Sequence, residues 1–180
     1  MGAIRAICVS NGQRYRVTVV LAVLFLALAF ARADTPTLVP KVDRIVIVKS
    51  KRGMVLMRDG KTVKTYKVAL GAQPVGAKQR QGDHKTPEGN YVIDSKIEHS
   101  QFHHALHISY PSAADREWAR KLGVSPGGDV EIHGLGAKFG WVGAAHREYD
   151  WTDGCVAVTK QEIDEMWPMV AVGTPVEIRP

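Results

Sequence analysis

One thiol and one imidazole carry the chemistry written into this chain. Cys155 lies in the run Asp150-Trp151-Thr152-Asp153-Gly154-Cys155-Val156. The other cysteine, Cys8, sits in a segment that reads as a cleaved leader. An exported chain with one thiol has no intramolecular disulfide to make, so nucleophilic catalysis is the expected reason for it. A thiol titrates near about 8.5 and an imidazole near about 6.5, so an unassisted thiol is only a few per cent thiolate at neutral pH. A neighbouring base or a row of backbone N–H groups raises that fraction. His133 is the preferred base. It ends the strand-like run 129–132 and is followed by Gly134-Leu135-Gly136, so its ring can enter a cleft while a backbone carbonyl fixes it. His146 is the rival base, nearer in sequence, in a stretch of charges and aromatics (141–151) where it lines a groove or faces water. Gly154 removes a side chain where a substrate backbone would approach. The N–H groups around Gly154 and Cys155 form a candidate oxyanion hole. Thr152 and Asp153 are expected to orient this loop by side-chain to backbone hydrogen bonds. The plainer readings are a buried, inert strand thiol and an ordinary strand-end histidine.

A second cluster, His99, His103, His104 and His107, has spacings that suit metal ligands on a helix. Residues 106–110 read as strand, and no carboxylate motif accompanies them. The cluster is therefore assigned to the wall or rim of a groove, or to plain surface, with no metal.

These side chains need a scaffold and a compartment. Residues 1–33 read as a signal peptide. Arg5, Arg14 and Arg16 precede an apolar run over 17–30, and Ala31-Arg32-Ala33 fits a signal peptidase site. The run falls short of the roughly 20 residues of a spanning helix, so no stable membrane span is expected after cleavage. Residues 34–41 form a short arm, and 42–180 are enough for one domain with a core. The chain has 24 basic and 18 acidic residues. The leader takes four arginines and leaves 20 against 18, so nucleic acid is not an expected partner.

Short β-rich runs at 44–49, 54–57, 63–70, 90–97, 106–110, 129–133, 155–158 and 176–179 predict strands. Asp59-Gly60 predicts a two-residue hairpin turn. Residues 112–122 predict a helix stopped by Gly123. Thr159-Lys160-Gln161-Glu162 predicts a capping box opening a second helix to about 170, with Pro168 kinking it or ending it near Trp167. The expected fold class is mainly β with two short helices (α+β).

His133-Gly134, then Thr152-Asp153-Gly154-Cys155-Val156, resembles the L,D-transpeptidase catalytic domain (YkuD-type) family, in its murein L,D-transpeptidase-like branch. The run Gly82-Asp83-His84-Lys85-Thr86-Pro87-Glu88-Gly89-Asn90-Tyr91 is similar to a second segment of that family. The likeness spans about 42–180. It implies a catalytic-domain β-sandwich acting on peptidoglycan stem peptides through a cysteine thioester. Cys155 is then the nucleophile and His133 the base, without metal or organic cofactor. Gly154, Asp153, Thr152, Gly134, His146 and Arg147 are the implied oxyanion or substrate-binding residues. The acyl acceptor is another stem or a wall-linked protein, the place is the periplasm or cell wall, and carbapenems are expected to acylate the thiol. Ala157 stands where many members carry arginine, with Arg147 and Lys138 as candidates for the missing charge. The alternatives are an L,D-carboxypeptidase or amidase acting on the same bond, and a non-catalytic wall-binding domain. Redox exchange is weak because no second cysteine is nearby.

Overall fold

A computed structural model describes residues 39–180. The leader read at 1–33 and most of the arm at 34–41 lie outside the described residues. Among the described residues no helix is long and apolar enough to cross a membrane.

Eight strands form one curled sheet: β1 (Arg44–Val48), β2 (Gly53–Arg58), β3 (Lys61–Lys67), β4 (Gly89–Ser100), β5 (His103–Ile108), β6 (Glu131–His133), β7 (Val156–Ala157) and β8 (Pro175–Arg179). Their spatial order is β3-β2-β1-β8-β4-β5-β6-β7. The fold class is mainly β with helices, as expected. β1 reads Arg-Ile-Val-Ile-Val and its three central residues are buried, as suits an inner strand between β2 and β8. β2 alternates and puts Met54 and Leu56 into the core. Asp59 (φ 50°) and Gly60 (φ 72°) make the predicted turn between β2 and β3. β3 is an outer strand studded with Lys61, Lys64 and Lys67, charges that discourage edge-to-edge pairing.

β4 gives the sheet its curl. Its first residues pair with β8 and the rest with β5, and register shifts at Ile93/Ser95 and Ile97/Ser100 bend it between the two. At the far ends Ala69, just past β3, exchanges backbone hydrogen bonds with Ala157 of β7 at 3.0 and 2.8 Å. The segment leaving β3 is thereby tied to β7.

Both predicted helices form, with reciprocal caps. In α1 (Ala113–Leu122) the Ser112 side chain accepts from Asp115 N–H, and Gly123 ends the helix at φ 67°. In α2 (Lys160–Met166) Thr159 and Glu162 cap each other, and Ile163 and Met166 are buried. α2 takes the earlier of its two expected ends, stopping at Met166 with Trp167 as its cap, because proline at 168 cannot continue the helical hydrogen bonds. Other boundaries shift. The strand expected to 70 ends at Lys67, since residues 68–70 turn away to meet β7. The strand expected from 106 begins at His103, drawn in by its pairing with β4. The strand expected from 129 begins at Glu131, because Asp129 has a left-handed φ of 53°. Residues 140–148 form 3₁₀ turns kinked at Gly143.

Candidate active site

β6 and β7 run parallel, with Ile132 opposite Val156 and His133 opposite Ala157. Cys155 precedes β7 and so falls level with Glu131, two residues before His133 on the neighbouring strand. Side chains two apart share a sheet face, so this register puts the thiol and the imidazole on one side.

The His133 ring is held on several sides. It is 1% exposed and stacks on Phe102, with centroids 4.2 Å apart, while Trp151 meets it edge-on at 6.0 Å. Its Nδ1 lies 2.7 Å from the Gly134 carbonyl oxygen. A carbonyl only accepts, so Nδ1 carries the proton and Nε2 keeps its lone pair. Burial pushes the imidazole down to about 4, partly opposed by the Gly134 carbonyl, so it is neutral at pH 7. Gly134 is required for this packing. A Cβ there would lie 2.8 Å from Ile163 Cγ2, so α2 supports the turn directly beneath the histidine.

The half-buried Cys155 thiol donates to the Asp129 carbonyl oxygen at 3.5 Å rather than to the imidazole. Burial pushes it up to about 11. The Glu131 and Asp153 carboxylates add to the rise, while a hydrogen bond from the Glu131 backbone and the Lys78 ammonium oppose it. Both groups are thus neutral at rest: a protonated thiol and an unprotonated imidazole.

The loop before Cys155 is tied as the sequence suggests for Thr152 but not for Asp153. Thr152 Oγ1 donates to the Cys155 carbonyl at 2.7 Å and accepts from Gly154 N–H at 3.1 Å. The Gly154 N–H is therefore already engaged within the loop. The exposed Asp153 carboxylate meets His84 Nδ1 at 2.7 Å, because its side chain leans out toward the 82–91 segment.

That segment props the thiol loop. At Gly154, φ is +133° and a Cβ would sit 2.7 Å from the Lys85 carbonyl oxygen. At Gly71 a Cβ would sit 2.3 Å from the His84 carbonyl oxygen, and Gly71 N–H donates to Thr86 Oγ1 at 2.9 Å. The two sequence motifs are one piece of structure. Gly154→Ala is expected to cost on the order of 2 kcal/mol. A lower denaturant midpoint at unchanged slope would report this, and an unchanged midpoint would show that the loop gives way.

His146 is buried and lines a cavity of about 210 Å³ with Leu135, Phe139, Val142, Tyr149 and Trp151. Burial and nearby Arg147 push it down to about 4, and its Nε2 has no hydrogen-bond partner among the described residues. Arg147 is occupied elsewhere, bonding both Glu162 oxygens (2.7 and 2.9 Å) and the Lys67 carbonyl. The cation beside the thiol loop is one that sequence reasoning missed. The buried Lys78 ammonium bonds Asp83 at 2.8 Å and would lie 3.8 Å from a Cβ on Gly154. A lone lysine in an irregular segment has no period to reveal it. Phe102 was missed for a similar reason, since only the β5–β6 register, with Ala105 opposite His133, carries it to that ring.

The fold has counterparts. The structure aligns with the helical cell shape determining protein Pgp2 of Campylobacter jejuni at a TM-score of 0.58 and 23% identity, over 77% of this chain and 48% of that one. It aligns with an L,D-transpeptidase of Enterococcus faecium at 0.51 and 16%, over 77% and 50%. In sequence it is 32% identical to Escherichia coli K12 YafK, provisionally named an L,D-transpeptidase, over 59% of this chain and 36% of that protein. The chain therefore spans about a third of that relative's length and half of the structural neighbours'. The L,D-transpeptidase catalytic domain profile matches residues 42–178, which takes in all of β1 to β7, β8 but for its last residue, both helices and the Cys155 loop, and the chain accordingly belongs to the L,D-transpeptidase catalytic domain (YkuD) family.

Proposed function

We propose that this protein is an exported, periplasmic or wall-associated L,D-transpeptidase that acts on peptidoglycan stem peptides through a thioester on Cys155. One observation supports the reading: Cys155 leads directly into β7, which runs parallel to the β6 strand that ends in His133, a neutral imidazole whose Nε2 keeps its lone pair. Rotation about the Cys155 Cα–Cβ bond turns the sulfur from the Asp129 carbonyl toward Nε2. The thiol proton passes to Nε2 as sulfur attacks the carbonyl at the L-centre of the stem diamino acid. The Cys155 N–H bonds the developing oxyanion, and the Lys78 ammonium favours negative charge at the loop. The C–N bond then breaks, and the imidazolium gives its proton to the departing amine of the D-residue. In the second half an acceptor amine, from another stem or a wall-linked protein, passes a proton to His133 and attacks the thioester. The thiolate leaves and is reprotonated. No step draws on an oxidant or a metal.

The test uses tetrapeptide-stem muropeptides with a labelled amine. Wild type is expected to form an acyl adduct on Cys155, seen by intact mass, and to release labelled cross-linked product. Cys155→Ala forms neither. An adduct that yields only hydrolysed stem points to carboxypeptidase action. A wild-type protein that binds muropeptides, forms no adduct and turns over nothing is a wall-binding domain, and the enzymatic reading fails.

A further inference from the structure

Two of the four clustered histidines meet a carboxylate that the sequence kept out of sight. His103 Nε2 lies 2.6 Å, and His104 Nδ1 2.8 Å, from one oxygen, Asp164 Oδ1 of α2. One ligand atom from each of the three residues falls within 4.8 Å of the others. His107 turns instead to Asp94, at 2.6 Å.

Adjacent residues of a regular strand point to opposite faces. Here the rings of His103 and His104 lie 4.2 Å apart, because His103 holds a left-handed φ of 77°. That conformation is unfavourable for a residue with a Cβ and marks a position worth a functional question. The surroundings fix the remaining freedom. His104 stacks on Trp167 at 4.3 Å with 14° between planes, and Trp167 carries the Lys96 ammonium 4.3 Å from its centroid. Lys160 holds Asp164 Oδ2 at 3.1 Å, which leaves Oδ1 to the imidazoles.

We propose that His103, His104 and Asp164 form a site for a divalent transition metal, with zinc best matched to the donors. Two imidazoles and a carboxylate suit a borderline ion. The three side chains are 19–38% exposed, so water can complete a tetrahedron. Bonds of about 2.1 Å set tetrahedral ligand atoms roughly 3.4 Å apart, so Asp164 Oδ1 retreats by less than about 1 Å from each ring. Each imidazole moves its proton to its other nitrogen as the metal takes the place of an N–H. The ion joins the start of β5 to α2. It braces two neighbours of the catalytic candidate: Phe102, which precedes His103 and stacks on His133, and Ile163, which precedes Asp164 and packs against Gly134.

The experiment uses the full chain without a histidine tag, stripped by chelation, with Cys8→Ala and Cys155→Ala so that neither thiol can take the ion. Titration with ZnCl₂ is expected to saturate at one ion per chain and to raise Tm. CoCl₂ is expected to give visible bands of a tetrahedral site. Asp164→Asn and His104→Ala should each weaken zinc binding by about tenfold or more. No saturable uptake, or equal uptake by both variants, overturns the proposal. Should either variant fail to fold, the cobalt form of the parent chain decides by NMR. Shifted imidazole signals from two histidines support the site, and their absence overturns it.

Discussion

Exchanging His133 for glutamine is expected to slow acylation of Cys155 by roughly 10²–10⁴-fold at pH 7, the usual range for a positioned base. A glutamine amide can still donate to the Gly134 carbonyl, so the turn should hold. The size of the effect follows from how poor the thiol is unaided. With burial holding it up near 11, very little thiolate exists at neutral pH. With the imidazole down near 4, a standing thiolate–imidazolium pair is not favoured either. Proton transfer must accompany attack, so wild-type acylation should be flat across the range where His133 is neutral and Cys155 protonated, from about pH 5 to 10. His133→Gln has only the thiolate route, and its rate should climb about tenfold per pH unit. The two profiles therefore converge toward high pH. Second-order rates of carbapenem adduct formation, followed by intact mass from pH 5 to 10, measure both. Parallel profiles, or a mutant within tenfold of wild type at pH 7, would remove His133 as the base.

The legible parts of this protein are those in which cause and effect lie close together along the chain. Asp59-Gly60 makes its turn from two residues that tolerate positive φ. Thr159 and Glu162 cap α2 across one turn, and Gly123 ends α1 where a Cβ would be strained. Cys155 and His133 stood out because a thiol without a disulfide partner and a histidine before glycine are visible as residues. What stayed hidden depends on long-range register. β8 reaches from the C-terminus to lie between β1 and β4. Residues 68–70 leave β3 to bond β7 and the Trp151-Thr152 backbone, so the strand-like run 63–70 is cut at Lys67. Asp164 meets His103 and His104 from some 60 residues away, which is why the histidines alone did not suggest a ligand set. Lys78 reaches the thiol loop only because the 82–91 segment folds under Gly154.

Acid should unfold this protein through its histidines before its carboxylates. His133 and His146 are both depressed to about 4 in the folded state, against about 6.5 unfolded. Their stabilising contribution is complete above about pH 6.5, where neither state binds the proton. It is lost as pH falls from 6.5 to 4, because the unfolded chain takes up protons that the folded chain refuses. Each proton so taken up on unfolding costs the fold about 1.4 kcal/mol per pH unit, and His133 alone amounts to on the order of 3 kcal/mol across the window. The carboxylates act lower. Asp83, held down to about 2 by Lys78 and three backbone N–H groups against its own burial, loses its contribution only as pH falls below about 4. Glu131 is raised by burial and works the other way, gaining stability on acidification, which blunts the histidine effect without reversing it. Urea midpoints should therefore drop steeply between pH 6.5 and 4.5. His146→Phe separates the two imidazoles. It fills an apolar cavity wall and removes a buried nitrogen that has no partner among the described residues, so stability at pH 7 should stay within about 1 kcal/mol or rise. The slope below pH 6.5 should become clearly shallower, since one titrating ring of two is gone. A slope unchanged in that variant would mean that His146 protonates freely in the folded protein, and that the wall around it opens to water.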